Sequence, residues 1–226
     1  MKNQFTIYCI SDTHQRHREL TEKLSSIVNG DILLHAGDFT NYGGTFRSQG
    51  GGIDDFNMWL GSLPFKHKLL IFGNHERVLI DDDDLERVKQ QFSNATYLND
   101  ELVDIDGLKI YGASWKADDG RDRRQLWSKI PLGTQIVITH NPPDGKSHAT
   151  SDASFDIDKF LMRRILQVKP ILSIFGHIHT DYGVWEKDKV TFVNAANMNE
   201  EGKALNEPVG FRLEMNDDKL VKLQQL

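Results

Sequence analysis

The chain has 226 residues, 38% hydrophobic and 27% charged, with a formal net charge of −6 and a single cysteine, Cys9. This size and balance suit one globular domain over residues 1–226, and the lone cysteine excludes an internal disulfide. The negative balance argues against long nucleic acid or an anionic membrane as a partner, and no apolar run reaches the roughly 18 residues of a membrane span.

Residues 5–10 (FTIYCI) read as a buried strand ending at Ser11-Asp12. No cleavage site accompanies this run, so a cytoplasmic protein is expected. Leu20, Leu24, Ile27 and Val28 recur at helical spacing, which predicts a helix over 15–28 stopped by Gly30. A second buried strand, 31–36, runs into Gly37-Asp38. Residues 41–52 are rich in Gly, Ser, Asn and Gln and read as a loop; 53–63 read as a helix with Phe56, Trp59 and Leu60 on one face. Strand 68–72 ends at Gly73-Asn74-His75. The acids Asp81 to Asp84 open a further helix, where they complement the dipole, with Leu85, Val88 and Phe92 facing inward. Runs 102–105 and 108–111 flank Asp106-Gly107, a hairpin signal. Strand 135–139 ends at His140; a helix over 155–168 stops before Pro170; strand 171–175 ends at Gly176-His177. Hairpins are expected at 184–193 and around Asn216-Asp217-Asp218. Alternating strands and helices followed by hairpins indicate an α/β protein with a mostly parallel sheet extended by antiparallel strands.

Five of these strands end in side chains that bind metals: Asp12 and His14, Asp38, Asn74 with His75, His140, and His177 with His179. In sheets of this kind, ligands bind beyond the carboxyl ends of the strands, so the five segments are expected to converge on one edge. Glycines 37, 73 and 176 are expected to permit sharp turns there. Imidazole suits Mn, Fe, Zn, Co and Ni, carboxylate suits harder ions, and a structural zinc knot would use thiolate. Two ionised aspartates against two divalent cations leave such a site net positive, fit to attract a phosphate ester. Metals about 3.5–4 Å apart can hold both the attacking and the leaving oxygen of a displacement at phosphorus.

Asp12-Thr13-His14, Gly37-Asp38, Gly73-Asn74-His75-Glu76, His140 and Gly176-His177-Ile178-His179, in this order, resemble the signature of the calcineurin-like metallophosphoesterase superfamily. The wording around Ile10 to His14, His35 to Thr40 and Pro142-Pro143 is similar to its small metallophosphoesterase-domain-containing members and to class III cyclic-nucleotide phosphodiesterases. The resemblance implies a four-layer α/β/β/α sandwich with mixed sheets. It places one metal on Asp12, His14 and His179, a second on Asn74, His140 and His177, and makes Asp38 the bridge. It also implies manganese as the favoured metal, a hydroxide between the metals as nucleophile, and His75 as proton donor to the leaving oxygen. The substrate implied is a small phosphodiester such as a cyclic nucleotide. Alternatives are a phosphomonoesterase or protein phosphatase, or a metal-loaded scaffold without activity. Phe39-Thr40 after Asp38, in place of the Asp-Arg-Gly pattern of the Ser/Thr phosphatase branch, disfavours the protein phosphatase.

Other residues read more plainly. Alternation along the strand turns His35 away from Asp38, into a supporting role. His17, His67 and His148 are expected in loops or on the surface, and Cys9 in the core. Glu76 either orients His75 or lies on the surface. Loop 43–52 with Arg47 either closes over substrate or is plain surface. Arg121, Arg123 and Arg124 could meet a phosphate or a nucleotide, but a solvated charged face is the favoured reading. Trp59, Trp115, Trp127 and Trp185 are expected mainly in the core, with Trp115 the one placed to line the pocket.

Overall fold

The computed structural model describes residues 2–41, 52–76, 85–143, 158–199, 201–202, 205–216 and 219–226. Loop 43–51 with Arg47, the acidic run Asp81 to Asp84, the packing of Leu85, His148, the first turn expected at 155–157, and the turn at 217–218 lie outside the described residues.

Two mixed sheets stack face to face. The first has strand order β12-β11-β1-β2-β3-β4. Its members are β1 (Lys2–Ile10), β2 (Ile32–His35), β3 (His67–Leu70), β4 (Thr96–Tyr97), β11 (Val209–Asn216) and β12 (Lys219–Gln225). The second has order β5-β6-β7-β8-β10-β9. It comprises β5 (Glu101–Ile105), β6 (Leu108–Ala113), β7 (Ile136–Thr139), β8 (Leu172–Phe175), β9 (Gly183–Lys187) and β10 (Val190–Asn194). Strands β1 to β4 pair in parallel, as do β6, β7, β8 and β10, while the hairpins add antiparallel edges.

The four layers follow from side-chain alternation. Ile7, Cys9, Leu34 and Ile71 from one sheet meet Ile110, Ile138, Ile174 and Val193 from the other in the central core. The alternate residues face outward and are covered in turn. Ile10, Leu33, Leu70 and Phe72 pack under α1 (Thr21–Ser25), α2 (Gly52–Ser62) and α3 (Leu85–Gln90) through Leu24, Phe56, Trp59, Leu60 and Val88. Tyr111, Val137, Phe175 and Phe192 pack under α4 (Arg123–Ser128) and α5 (Lys159–Val168) through Trp127, Leu161 and Ile165. Burial on both faces explains why the central strands read as continuous apolar runs. Each fully buried large side chain contributes roughly 1.5–3 kcal/mol of transfer free energy.

Several expectations change. The helix expected over 15–28 is broken: a 3-10 turn, His17–Leu20, precedes the five-residue α1, and Asn29 ends the segment in the left-handed region at φ 61°. Helix α4 has no counterpart among the expected elements, its six residues being too few for a periodic signal; Asp122 caps it by accepting from Arg124 N–H. His17 is not a surface residue. It is buried against Phe56 and Trp59, and its Nε2–H donates to Asp55 at 3.0 Å. Arg123 is not solvated either, being paired with the buried Asp158 and bonded to the carbonyls of Lys116 and Ala117.

Candidate metal centre

Because β1, β2, β3 and β6, β7, β8 run the same way, their carboxyl ends share one rim of the sandwich. Backbone bonds knit the sheets together there: Trp115 N–H donates to Phe72 O at 2.8 Å, and His177 N–H reaches the Asp12 carboxylate at 3.1 Å. Asp12, His14, Asp38, Asn74, His75, His140, His177 and His179 all meet at this rim.

They form adjoining groups. The ligand atoms of Asp12, His14 and His179 lie within 4.8 Å of one another, as do those of Asp38, His140 and His177, and those of His14, Asp38 and His75. In the first group, Nε2 of His14 and of His179 are 3.3 Å apart, and His179 Nε2 is 3.2 Å from Asp12 Oδ1. In the second, His140 Nε2 stands 3.0 Å from Asn74 Oδ1 and 3.2 Å from Asp38 Oδ2, and His177 Nδ1 is 2.9 Å from Asn74 Oδ1. Asp38 Oδ2 also lies 4.0 Å from His14 Nε2, so it faces both groups.

The loop after β2 sets the ring orientations. His14 Nδ1–H donates to Thr40 O at 2.9 Å, His75 Nδ1–H to Asn41 O at 2.5 Å, and His140 Nδ1–H to Ala36 O at 2.7 Å. A carbonyl can only accept, so each bond fixes the tautomer and turns Nε2 toward the centre, the usual backing of a metal-binding imidazole. Lone pairs on Nε2 then face other lone pairs on oxygen and nitrogen, an arrangement that requires positive charge between them.

The electrostatics of the protonation states carry the same demand. Burial alone would raise the Asp12 carboxyl, but the His179 hydrogen bond and the charges of His140, His179 and His14 hold it below the usual range. Burial opposes a charge on His140, yet the Asp38 carboxylate raises it to about 9; His179 is raised by Asp12 against the same opposition. His14, by contrast, is lowered by burial. Cations at these positions would meet the demand that protons otherwise meet, releasing those protons on binding. The donor set, carboxylate, imidazole and one amide oxygen without thiolate, fits divalent metals of the Mn, Fe, Co, Ni and Zn range.

The backbone is strained to deliver these groups. Asp12, His14, Asp38 and His177 sit at φ 51°, 43°, 56° and 72°, in the left-handed region that costs roughly 1–3 kcal/mol for a residue with a side chain. Of the three glycines expected to turn sharply, Gly37 does so at φ 98°. Gly73 and Gly176 serve a different need: a Cβ at either would collide with the carboxylate of Asp38 or of Asp12, so they are gaps for the ligands.

The supporting residues were less legible. Glu76 is buried, and its carboxylate accepts from the backbone N–H of Asp38 (2.9 Å), Thr40 (2.8 Å) and Gly73 (2.8 Å) and from Thr40 Oγ1 (2.8 Å). It therefore clamps the Asp38 loop to the Asn74 loop, and is neither a surface residue nor bonded to the His75 ring. Burial, then the Asp38 charge, raise its carboxyl to about 7, while the bonds from Thr40 and Gly73 pull the other way. His35 is buried as expected; its Nδ1 accepts from Gly37 N–H at 3.2 Å and its Nε2–H donates to Thr13 at 3.1 Å, bracing two ligand loops. Trp115 lies against two ligand candidates, 4.7 Å from the His177 ring and 5.7 Å from that of His140, tied in place by the Lys116–Asn141 bonds. A sixth strand end escaped notice: Asn197 after β10 accepts from Ser11 N–H, and Met198 N–H donates to Asp12 O. The rule that found the ligands, a polar residue just past a buried strand, would have found it.

Burial holds the His35 ring at a pKa of about 3, below its ordinary value near 6.5. A lowered folded-state value means that the unfolded chain takes up the proton first as pH falls. The stability is present above about pH 6.5 and is lost progressively toward pH 3, at about 1.4 kcal/mol per pH unit for one proton. Urea unfolding of metal-free protein across this window should show at least that slope, since burial lowers His14 and His17 as well, and His35→Gln should reduce it by the share of one proton. An unchanged slope in the variant would assign the effect elsewhere.

Known proteins place this chain in a family. A sequence profile described as calcineurin-like phosphoesterase matches residues 5–181. A UPF0046 protein of Caenorhabditis elegans is 35% identical over 93% of this chain and 81% of its own length. Human metallophosphoesterase domain-containing protein 1 is 32% identical over 89% of this chain and 68% of its own. Among solved structures, the protein TT1561 of Thermus thermophilus superposes with a TM-score of 0.60 at 13% identity, covering 99% of both chains. GAP50 of Plasmodium, described as the anchor in the inner membrane complex, gives 0.60 at 8% identity over 99% of this chain and 88% of its own. At such identities the structures speak for the fold alone. The sequence matches speak for descent, and with the whole rim of ligand-bearing strand ends inside the matched span, the chain belongs to the calcineurin-like phosphoesterase family.

Proposed function

We propose that residues 1–226 act as one domain that hydrolyses a small phosphodiester, such as a cyclic nucleotide, at two divalent metals, manganese favoured. Asp12, His14 and His179 hold one ion, Asn74, His140 and His177 the other, and Asp38 is shared. The observation that carries this reading is Asp38 Oδ2 lying 3.2 Å from His140 Nε2 and 4.0 Å from His14 Nε2, between two otherwise separate groups. Metal-dependent phosphoester hydrolysis is the chemistry of the family; the pairing of ligands and the diester preference are our reading.

When bound, divalent ions supply charge for the phosphoryl oxygens and a deprotonated water at neutral pH. The chain's own part is orientation and proton transfer. Asn41 O holds the His75 ring by Nδ1, directing Nε2 toward Asp38 Oδ2 at 3.8 Å, on the side where a leaving oxygen would need a proton. Trp115, packed on His177 and His140, shields the ligands of the second group from water. A diester is favoured because the residue after Asp38 is Phe39, stacked flat on Phe56 with ring centroids 4.3 Å apart. That block therefore supplies no guanidinium for the dianion of a monoester.

The test is a turnover screen with manganese on bis-aryl phosphate, aryl phosphate, and 2′,3′- and 3′,5′-cyclic nucleotides. Hydrolysis of monoesters alone would overturn the diester reading, and a metal-loaded chain inert toward all four would favour a scaffold. In the same assay His75→Ala should keep its metals while losing about 10²–10⁴-fold in kcat, the usual worth of a positioned acid. Loss of metal in that variant would make His75 a ligand.

A further inference from the structure

The outer face of the second sheet carries a charge pattern at odds with the rest of the chain. Helices α4 (RRQLWS) and α5 (KFLMRRILQV) contain five cationic residues and no acid, in a protein of net charge −6. Arg123 is accounted for by its pairing with Asp158. Three other guanidiniums, those of Arg124, Arg163 and Arg164, line one cavity of about 260 Å³ between the two helices, and among the described residues none of the three is paired with a carboxylate.

Their positions are fixed without any acid. Arg164 Nε–H donates to Ile130 O at 3.0 Å, and its Nη2 reaches Ser128 O at 3.3 Å. Arg124 and Arg163 both lie over the Phe160 ring, 5.5 and 5.7 Å from its centroid. A cation–π contact of this kind places a guanidinium over the ring without using its N–H groups. Phe160, Arg163 and Arg164 share one face of α5, and Arg124 and Trp127 one face of α4, so the cluster follows from helical spacing. Three like charges brought together repel one another, and this arrangement is costly until an anion enters. The N–H edges of Arg124 and Arg163 match phosphate oxygens bidentately, while Arg164, whose Nη1 also donates to Gln167 Oε1 at 3.3 Å, contributes its charge. None of the lining residues belongs to the metal-ligand set.

We propose that the α4–α5 cavity is a second binding site, for a small polyanion bearing one or two phosphoryl groups. Its volume suits one or two phosphoryl groups, and the site is independent of the catalytic reading above.

The experiment is calorimetric titration of inorganic pyrophosphate into chelator-treated protein in about 50 mM salt, where the metal centre cannot compete and screening is modest. Saturable one-to-one binding is expected, weakened at least about tenfold in Arg124→Ala/Arg163→Ala. Both side chains are exposed, so the variant should keep its far-ultraviolet circular dichroism and its metal-dependent turnover of bis-aryl phosphate; Arg163→Gln alone serves if the double variant misfolds. Absence of saturable binding, or equal affinity in the variants, would overturn the proposal. So would a single-stranded oligonucleotide that binds more tightly with increasing length.

Discussion

Asp38→Asn is expected to lower kcat by at least about a thousandfold, and to reduce bound manganese from about two ions per chain to about one or none by elemental analysis. The substitution keeps the shape of the side chain and changes its charge. Asp38 Oδ1 accepts from His75 N–H at 2.9 Å, a bond the amide oxygen can retain, so the loop should stay in place. Oδ2 faces His140 Nε2 at 3.2 Å and His75 Nε2 at 3.8 Å. An amide NH₂ there would present hydrogens where the proposal requires a shared anionic ligand. With Asp12 as the sole remaining carboxylate of the set, the site loses half of its fixed negative charge. If the variant retains both metals and ordinary turnover, the two groups are not bridged by Asp38, and the assignment of the shared ligand fails.

Glu76→Ala should destabilise the fold by about 3 kcal/mol or more. It would leave three backbone N–H groups without their acceptor in a buried place, at roughly 1–3 kcal/mol for each unsatisfied group, offset where water enters, while the Thr40 hydroxyl keeps His75 O at 3.3 Å. For a chain of this length that corresponds to a fall in Tm of about 6–12 °C. Glu76→Gln is the sharper comparison. All four partners of the carboxylate are donors, so an amide NH₂ must meet N–H groups and cannot serve half of the clamp. The glutamine variant should therefore resemble alanine more than wild type, in Tm and in manganese retained after dialysis. A glutamine variant with wild-type stability and metal content would show that the clamp works as a neutral acid.

The strength of the site reading came from strand ends. Strands buried on both faces must be apolar, so a polar residue just past such a strand stands out in the sequence, and five such places were visible. Gly73 and Gly176 were visible too, but for the wrong reason: their role is room for a carboxylate, which depends on a neighbour far away in the chain. Glu76 was ambiguous because its partners, Asp38 and Thr40, come from another loop. His17 looked like surface because only the docking of α2 brings Phe56 and Trp59 over it. Arg123 and Arg124 are neighbours in sequence with opposite fates, one locked to the buried Asp158 and the other laid on Phe160, because successive helical residues point about 100° apart.

The sequence by itself determined which residues could carry the chemistry, the α/β class, and the family through its ordered blocks, since these depend on local periodicity and on the types of side chain. The tertiary structure alone decided that the two sheets present their carboxyl ends at one rim, that Asp38 faces both groups of ligands, that carbonyls of a single loop aim three imidazoles inward, and that three arginines with no carboxylate partner among the described residues meet between α4 and α5. Each of these joins residues far apart in the chain, and such distances are set by packing across the core, where no local pattern reports them.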